Sequence, residues 1–277
     1  MNREQVHYII EKALIEDIGH GDITTRATVD PDRDGTAVII AKEEFILAGI
    51  EVFLEVFLYL EPAIDFSINF ADGDRIKKGE TIAELSGPLA TLLTGERVAL
   101  NLLQRMSGIA TLTAKYAEAV SGTKAKVLDT RKTTPGLRAL EKYAVTVGGG
   151  QNHRFGLFDG VLIKDNHIAA AGGIKKAIAS ARKNIPHTLK IEVECATLAQ
   201  VKEALSAKAD IIMLDNMTEK QMKEAVGVIG RKALIEASGN MTLERVKAVA
   251  QTGVDFISVG ALTHSARAVD ISMLIKA

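Results

Sequence analysis

Six short apolar runs, separated by amphipathic helical segments, fill the chain after Gly122 and restrict its fold more than any other feature. The runs span residues 125–128, 160–163, 189–193, 211–214, 233–237 and 256–259. Helical periodicity covers residues 137–146, 174–184, 198–207, 219–229 and 243–251. Strands that are apolar throughout and alternate with helices are typical of a parallel sheet covered by helices. Six such units favour a (β/α) barrel over a doubly wound sheet, and because the count falls short of eight we expect an incomplete barrel.

The sequence before this region follows a different pattern, which predicts a smaller α+β domain. Strand-like runs at 36–41, 64–70 and 81–85 accompany one amphipathic helix at 50–60 and a turn at 71–74. Residues 94–120 have apolar positions at helical spacing around Gly108, which predicts one long helix or a kinked helix pair between the domains. We therefore predict an N-terminal domain at 1–110 and the barrel at 111–277, with the last residues free to return to the N-terminal domain.

Composition narrows the classes of partner and the compartment. A formal net charge of -1 gives no bulk attraction to nucleic acid or to an anionic membrane. The charged N-terminal segment lacks the order of a signal peptide, and the longest apolar stretch, 45–60, is interrupted by Glu51 and Glu55 and is too short to span a bilayer. The single cysteine, Cys195, fits a reducing compartment. We expect a cytoplasmic protein that binds neither nucleic acid nor membrane.

Polar residues follow almost every apolar run, where strand ends of a parallel barrel share one rim. They are Asp129-Thr130-Arg131-Lys132, Lys164, Glu194, Asp215-Asn216 and Ser238-Gly239-Asn240, while the sixth run is followed by the small residues Gly260-Ala261. One charged residue after a strand is usually a solvated end or a helix cap, but five polar ends out of six are harder to explain that way. Active sites of such barrels lie at this rim. Its mixture of cations and carboxylates suits an anionic ligand with a divalent metal, and magnesium with a phosphorylated substrate fits best.

Two further segments add candidate ligands. His153 and Arg154 follow three successive glycines, whose backbone permits close approach of a ligand. The segment SVGALTHSA offers Ser258, Thr263 and Ser265 near a predicted helix start, which would suit a phosphate, while His264 is equally compatible with a ligand and with a helix cap. The histidines lack i, i+4 spacing, and neither a nucleophile elbow nor a P-loop occurs in the sequence, so a histidine-bound metal is not predicted.

Several segments resemble the quinolinate phosphoribosyltransferase family and together run nearly the whole chain. They are EDIGHGDITT at 16–25, NLLQRMSGIAT at 101–111, IEVEC at 191–195, MLDNM at 213–217, EASGN at 236–240 and ISVGALTHS at 257–265. The most specific is the block at 129–168, which runs from DTRKTTPG through GGGQNHRFG to VLIKDNHI. The resemblance implies an N-terminal α/β domain, an incomplete C-terminal barrel and a homodimer whose active sites are closed by the partner's N-terminal domain. It leaves open whether dimers assemble into hexamers.

The same resemblance implies roles for individual residues. The two quinolinate carboxylates would be held by Arg105, entering from the neighbouring chain, and by Arg131, His153, Arg154 and Lys164. Phosphoribosyl pyrophosphate and magnesium would be held by Lys132, Glu194, Asp215, Ser238, Gly239, Asn240, Val259, Gly260, Ala261 and His264, with Thr130 as a further substrate contact. Glu194 and Asp215 are the implied metal ligands, and with Lys132 and Lys164 they form the implied catalytic set. Asn240 departs from the pattern, since many relatives carry glycine there. No organic cofactor is expected.

Three other interpretations compete with this one. Lys164 at a strand end would also suit a Schiff-base aldolase barrel, although a reactive lysine needs a lowered pKa rather than a surplus of cations. The same scaffold would serve a non-enzymatic sensor of phosphoribosyl ligands. Within the same superfamily, nicotinate phosphoribosyltransferase and the pyrophosphorylase-like protein of molybdate operons are the nearest rival interpretations. The ring of cations favours the dicarboxylate over nicotinate.

Overall fold

The computed structural model of the chain describes residues 2–276. By their internal contacts these residues fall into two compact units. The first contains the N-terminal residues through Ala114, the segment Thr133–Gly149 and the residues from Thr263 onward. The second contains Lys115–Lys132 and Gly150–Leu262. The predicted division into 1–110 and 111–277 stays a prediction, although two later segments pack with the first unit.

The helices and strands are as follows. The helices are α1 Arg3–Ile18, α2 Ile23–Thr28, α3 Ile50–Leu60, α4 Leu89–Ala119, α5 Arg138–Val147, α6 Asp165–Ala171, α7 Ile174–Asn184, α8 Leu198–Ser206, α9 Glu219–Ile229, α10 Leu243–Ala250 and α11 Ala261–His264. The strands are β1 Asp34–Ala41, β2 Phe45–Ile46, β3 Asp65–Ile68, β4 Arg75–Ile76, β5 Thr81–Pro88, β6 Lys126–Leu128, β7 Val161–Ile163, β8 Ile191–Cys195, β9 Ile211–Asp215, β10 Leu234–Ser238, β11 Phe256–Ser258 and β12 Ile271–Lys276.

The first unit is built on a four-stranded antiparallel sheet in the order β12-β1-β5-β3, with a separate ribbon of β2 and β4. The last strand, β12, pairs along nearly the whole of β1, from Thr36 to Ala41. Helix α3 forms over the predicted residues and buries most of its apolar side chains, among them Phe53 and Phe57. Its first backbone N–H groups are satisfied by Asp72, whose carboxylate accepts from Gly49 and Ile50.

Helix α4 is a single 31-residue helix that contributes residues to both units, so the alternative of a kinked pair is wrong. Gly108 lies inside it for a packing reason. A β-carbon at this position would collide with the backbone carbonyl oxygen of Arg267. Glycine lowers helix stability by about 1 kcal/mol relative to alanine, but only glycine allows this close approach of the two backbones.

The second unit contains six parallel strands in the order β7-β8-β9-β10-β11-β6. Each of the six predicted apolar runs forms one of these strands, and helices α7 to α10 follow the predicted periodic segments. Threonine side chains cap three of the helices, as at Thr197, Thr218 and Thr242. The predicted fold class, an incomplete (β/α) barrel after a smaller α+β domain, is confirmed. The sequence missed the short helix α6, which follows β7 directly.

Among residues 2–276, no helix combines the length and the apolar character that crossing a membrane requires. The single cysteine ends β8 in the interior of the second unit, and burial raises the pKa of its thiol to about 12. Cys195 is therefore a packed apolar side chain rather than a reactive thiolate.

Candidate active site

The polar strand ends of the second unit lie at one edge of the parallel sheet, as the sequence predicts. The strand register pairs Glu194 with Met213 and Asp215 with Ser238, so these carboxyl ends are neighbours. Lys164 comes directly after β7. In a parallel barrel this edge is where side chains from several strands converge on a ligand.

Lys164 and Glu194 form an ion pair across two adjacent strands. The Lys164 ammonium donates to Glu194 Oε2 at 2.9 Å, and the lysine remains half-exposed. A substrate carboxylate or phosphate can therefore reach the same ammonium from the solvent side, because Lys164 has three N–H donors. The ion pair engages the Lys164 Nζ with a carboxylate, which disfavours the Schiff-base interpretation.

The segments that follow β9 and β10 are held together by hydrogen bonds at this edge of the sheet. The Asn216 backbone N–H donates to the Ser238 carbonyl at 3.0 Å, and Asn216 Nδ2 donates to Asp215 Oδ2 at 2.7 Å. Gly239 has a φ of 92°, and a β-carbon there would collide with the side chain of Asn216. Asn240 adopts a φ of 49°, in the left-handed region that asparagine tolerates better than most residues. The departure from glycine at 240 is therefore compatible with the turn.

His153 and Arg154 lie in a segment that runs beside β6. Gln151 forms a parallel bridge with Leu128, and the His153 backbone N–H donates to the buried carboxylate of Asp129 at 2.8 Å. The Arg154 guanidinium donates to the Gly160 carbonyl at 2.9 Å. Burial, reinforced by the nearby charge of Arg131, lowers the pKa of Arg154. The two neighbouring arginines repel each other, and a doubly charged anion bound between them would reduce this repulsion.

Two buried glutamates, neither of them predicted as a site residue, face the same histidine. His153 Nε2 lies 3.1 Å from Glu192 Oε2 and 3.6 Å from Glu236 Oε2. In the described part of the chain these three residues form the one group of three or more potential metal ligands. A signal was present: each glutamate lies between two apolar residues inside a strand, and a buried carboxylate needs a specific partner.

The remaining predicted ligands of the second unit divide by exposure. Arg131 and Lys132 are exposed after β6, and the Lys132 backbone N–H donates to the Thr130 hydroxyl at 3.1 Å. Val259 is buried, and its N–H donates to the Leu128 carbonyl at 2.9 Å, while Gly260 and Ala261 are half-buried.

The proposed phosphate segment near the chain end is only partly accessible. Ser258 and Thr263 are buried, so they do not offer the surface hydroxyls that the segment SVGALTHSA predicted. In the first unit, His264 is exposed, and its Nδ1 lies 2.6 Å from the Ser265 hydroxyl. Helix α11 contains four residues, which makes it a weak source of helix-terminus charge.

Arg105 lies in the first unit and is engaged there by its own chain. Its Nε and Nη2 atoms donate to Glu141 Oε1 at 3.1 and 2.9 Å, and Nη1 donates to the Ala266 carbonyl at 2.8 Å. A further hydrogen bond joins Nη2 to the Thr263 carbonyl. These contacts engage four of the five guanidinium N–H donors within the same chain, and the role of Arg105 in a partner's barrel stays a prediction.

Comparison with known proteins places this geometry in context. Models described as the N-terminal and C-terminal domains of quinolinate phosphoribosyl transferase match residues 22–107 and 109–274. A probable nicotinate-nucleotide pyrophosphorylase (carboxylating) of Bacillus subtilis is 48% identical, with 99% of this chain and 94% of the relative covered. A quinolinate phosphoribosyltransferase (decarboxylating) of Nicotiana tabacum is 44% identical over 96% of this chain and 81% of the relative. The crystal structure of NadC from Streptococcus pyogenes superposes with a TM-score of 0.96 at 44% identity, covering 100% of this chain and 98% of that one.

Proposed function

The chain belongs to the quinolinate phosphoribosyltransferase family, and from this premise we propose that it transfers the phosphoribosyl group of phosphoribosyl pyrophosphate to quinolinate. The products are nicotinate mononucleotide, pyrophosphate and carbon dioxide, in the de novo synthesis of NAD. The observation that carries the proposal is the polar edge of the parallel sheet, where Lys164, Glu194 and Asp215 converge.

The dicarboxylate would be held by the cationic side of this edge. Arg131 and Arg154 repel one another, so a dianion between them removes an unfavourable interaction as well as forming charge-assisted hydrogen bonds. Lys164 supplies a third cation and keeps its own carboxylate partner, Glu194. Nicotinate has one carboxylate fewer, so it would leave part of this charge without a partner.

The phosphoribosyl half would be held at the ends of β8 to β11. Glu194 and Asp215 offer hard oxygen ligands, which fit magnesium, and as only two carboxylates they leave most coordination positions to water and substrate oxygens. Magnesium, when bound, supplies positive charge that neutralises the pyrophosphate leaving group. Lys132 and the N–H groups of the turn at Gly239 and Asn240 would bind phosphate oxygens.

The chemistry follows from these charges. The pyridine nitrogen attacks the anomeric carbon of the ribose, a C–N bond forms, and the C–O bond to pyrophosphate breaks with its electron pair going to the leaving group. The carboxylates Glu194 and Asp215 favour the positive charge that develops on the sugar, while Lys132 favours the negative charge on pyrophosphate. Once the nitrogen is quaternary, the adjacent carboxylate leaves as carbon dioxide. The electron pair that remains on carbon is stabilised by the positive nitrogen and takes up a proton.

The proposal includes a homodimer in which each subunit contributes a residue to the active site of the other. The contacts of Arg105 within its own chain help to identify that residue. On the same helix, Arg97 is 59% exposed, and its ion-pair contact is with Glu96 at 3.8 Å. An arginine that enters the partner's active site has to be exposed in its own chain, and Arg97 meets this requirement better than Arg105. Mixing inactive Arg97→Ala with inactive Lys164→Ala should restore roughly one quarter of wild-type activity by random subunit exchange. The same mixture made with Arg105→Ala should show no more activity than Arg105→Ala shows by itself. Restoration with Arg105→Ala alone would return the shared role to that residue.

The function is tested by supplying quinolinate or nicotinate, each with phosphoribosyl pyrophosphate and magnesium, and measuring nicotinate mononucleotide and pyrophosphate. We expect turnover with quinolinate and carbon dioxide release in equal amount. Preferred use of nicotinate would indicate a nicotinate phosphoribosyltransferase instead. Binding of phosphoribosyl pyrophosphate without release of pyrophosphate would favour the non-enzymatic sensor. A cytoplasmic location, supported by the single reduced and buried cysteine, remains part of the proposal.

A further inference from the structure

Arg245 joins the segments that follow two neighbouring strands of the parallel sheet. It lies on α10, and each of its three guanidinium nitrogens donates a hydrogen bond. Nη2 donates to the Met217 carbonyl, after β9, at 2.7 Å, and Nη1 donates to the Gly239 carbonyl, after β10, at 3.0 Å. Nε donates to Glu219 Oε1, at the start of α9, at 2.7 Å. One side chain therefore fixes both segments relative to two helices.

The surroundings of Arg245 indicate that it acts on the backbone rather than on a ligand. The ion pair with Glu219 compensates its charge, and its side chain is only 25% exposed. Three of its five N–H donors are directed at acceptors of the protein. An anion would therefore gain little from the guanidinium itself, and more from the peptide groups that the guanidinium orients.

The hydrogen bond to Gly239 sets the direction of the next N–H group. In a planar trans peptide the C=O and N–H bonds point in opposite directions. Because the Gly239 carbonyl points at Arg245, the Asn240 N–H points away from α10. Within residues 2–276 this N–H has no hydrogen-bond partner, and Asn240 is exposed. Such an oriented backbone donor suits an anion.

The conformation of this segment needs contacts that hold it. Asn216 and Asn240 have φ of 53° and 49°, and non-glycine residues persist in this left-handed region only where their surroundings hold them. The Asn240 side chain donates to Asn216 Oδ1 at 3.2 Å, which ties the two segments to each other. Arg245 ties both of them to the helices behind the sheet. Loss of Arg245 would leave the Gly239–Asn240 peptide free to rotate.

We propose that Arg245 is a positioning residue for the phosphate-binding half of the site. Through the Gly239 carbonyl it directs the Asn240 N–H at an oxygen of a pyrophosphate group. The inference rests on the proposed function for the identity of the substrate that carries this group, phosphoribosyl pyrophosphate. The binding of inorganic pyrophosphate tests it without any turnover.

Calorimetry of the full-length protein, with pyrophosphate as the probe at a fixed magnesium concentration, measures the effect. Arg245→Ala should raise the Kd of pyrophosphate roughly tenfold, because an oriented donor to a charged group is lost. Arg245→Lys should raise it by a similar factor, because one ammonium keeps the charge but cannot span three separate acceptors. If Arg245→Lys binds pyrophosphate within about twofold of wild type, charge rather than positioning is responsible and the inference is wrong.

Arg182 provides a matched control for a purely structural role. It lies on α7 and donates to the Lys208 carbonyl at 2.6 Å and to Asp210 Oδ2 at 3.1 Å. Both acceptors precede β9, so they lie at the opposite edge of the parallel sheet. Arg182→Ala should lower Tm, as Arg245→Ala does, but leave the Kd of pyrophosphate within about twofold of wild type. Equal weakening by both alanine variants overturns the inference.

The Asn240 N–H is observed directly by NMR. Gly239-Asn240 is the only glycine–asparagine pair in the sequence, so ¹³C-carbonyl glycine combined with ¹⁵N-asparagine gives one selected amide signal. Pyrophosphate should shift this signal in the wild type and in Arg182→Ala. The same pyrophosphate concentration should shift it much less in Arg245→Lys. A wild-type signal that does not respond to saturating pyrophosphate overturns the inference.

Steady-state kinetics separate this inference from the proposed function. In Arg245→Lys, KM for phosphoribosyl pyrophosphate should rise roughly tenfold while KM for quinolinate stays within about twofold of wild type. An equal rise in both KM values indicates general damage and overturns the positioning role. A wild type that binds pyrophosphate but does not turn over quinolinate overturns the proposed function instead, and the Kd values of the variants still decide the role of Arg245.

Discussion

Replacement of Arg105 by alanine would leave a negative charge buried in the first unit. Glu141 is fully buried, and its Oε1 accepts two hydrogen bonds from the Arg105 guanidinium. Its other oxygen accepts from the Thr134 backbone N–H at 3.0 Å. Removing one partner of a buried ion pair typically destabilises a protein by about 3–5 kcal/mol, because the remaining charge is uncompensated. Since Arg105 is 24% exposed, we expect the lower end, about 3 kcal/mol.

This loss is measured by urea unfolding and by thermal unfolding at one fixed protein concentration, because association changes apparent stability. A loss of 3 kcal/mol corresponds to a fall in Tm of roughly 6–12 °C for a chain of this size. Arg97→Ala is the matched control on the same helix. It removes an exposed arginine and should change stability by less than about 0.5 kcal/mol.

The double variant Arg105→Ala with Glu141→Gln identifies the stranded charge as the cause. It should be more stable than Arg105→Ala alone by at least about 1 kcal/mol, because glutamine carries no charge to bury. If Arg105→Ala unfolds within 1 kcal/mol of wild type while its use of quinolinate collapses, the structural role is refuted. Arg105 would then act on the substrate, as the family resemblance implied.

The remaining predictions concern the second unit. Arg154→Ala should raise KM for quinolinate by roughly 10- to 100-fold, because a charge-assisted hydrogen bond is lost. If steady-state kinetics of the folded variant give a KM within about twofold of the wild-type value, Arg154 does not bind quinolinate. Glu194→Gln and Asp215→Asn should raise the magnesium concentration needed for half-maximal activity, and a magnesium titration that matches wild type would count against both as metal ligands. Gly239→Ala should raise KM for phosphoribosyl pyrophosphate and lower Tm, whereas Gly230→Ala, also at positive φ but with open space around it, should lower Tm alone.

Local patterns in the sequence were enough to predict most individual elements. The predicted helix at 50–60 coincides with α3, and the six apolar runs became the six parallel strands. Apolar runs succeed because strands buried on both faces lack a polar side that would obscure them. Helix α6 was missed because seven residues give too little periodicity, and its first residues were already interpreted as site residues.

Contacts between distant parts of the chain could not be predicted in the same way. Periodicity locates α5 correctly, yet it does not indicate that this helix packs with the first unit rather than with the barrel strands around it in sequence. Helical spacing likewise predicted that Arg105 would lie beside an apolar face, but Glu141 as its partner depends on tertiary structure. For Glu192 and Glu236, the apolar run dominated the interpretation, although each glutamate was visible as an exception within it.

The position of β12 has a consequence for the order in which the protein is synthesised. A ribosome releases β1 and β5 early, whereas β12, which covers the other edge of β1, emerges only after every strand of the parallel sheet. Nascent chains therefore carry an open strand edge through most of translation, and such edges pair readily with other chains. The first sheet along the chain is thus the last to be completed. A segment fused after β12 is therefore attached to the antiparallel sheet of the first unit, and not to the parallel sheet that comes before it in the sequence.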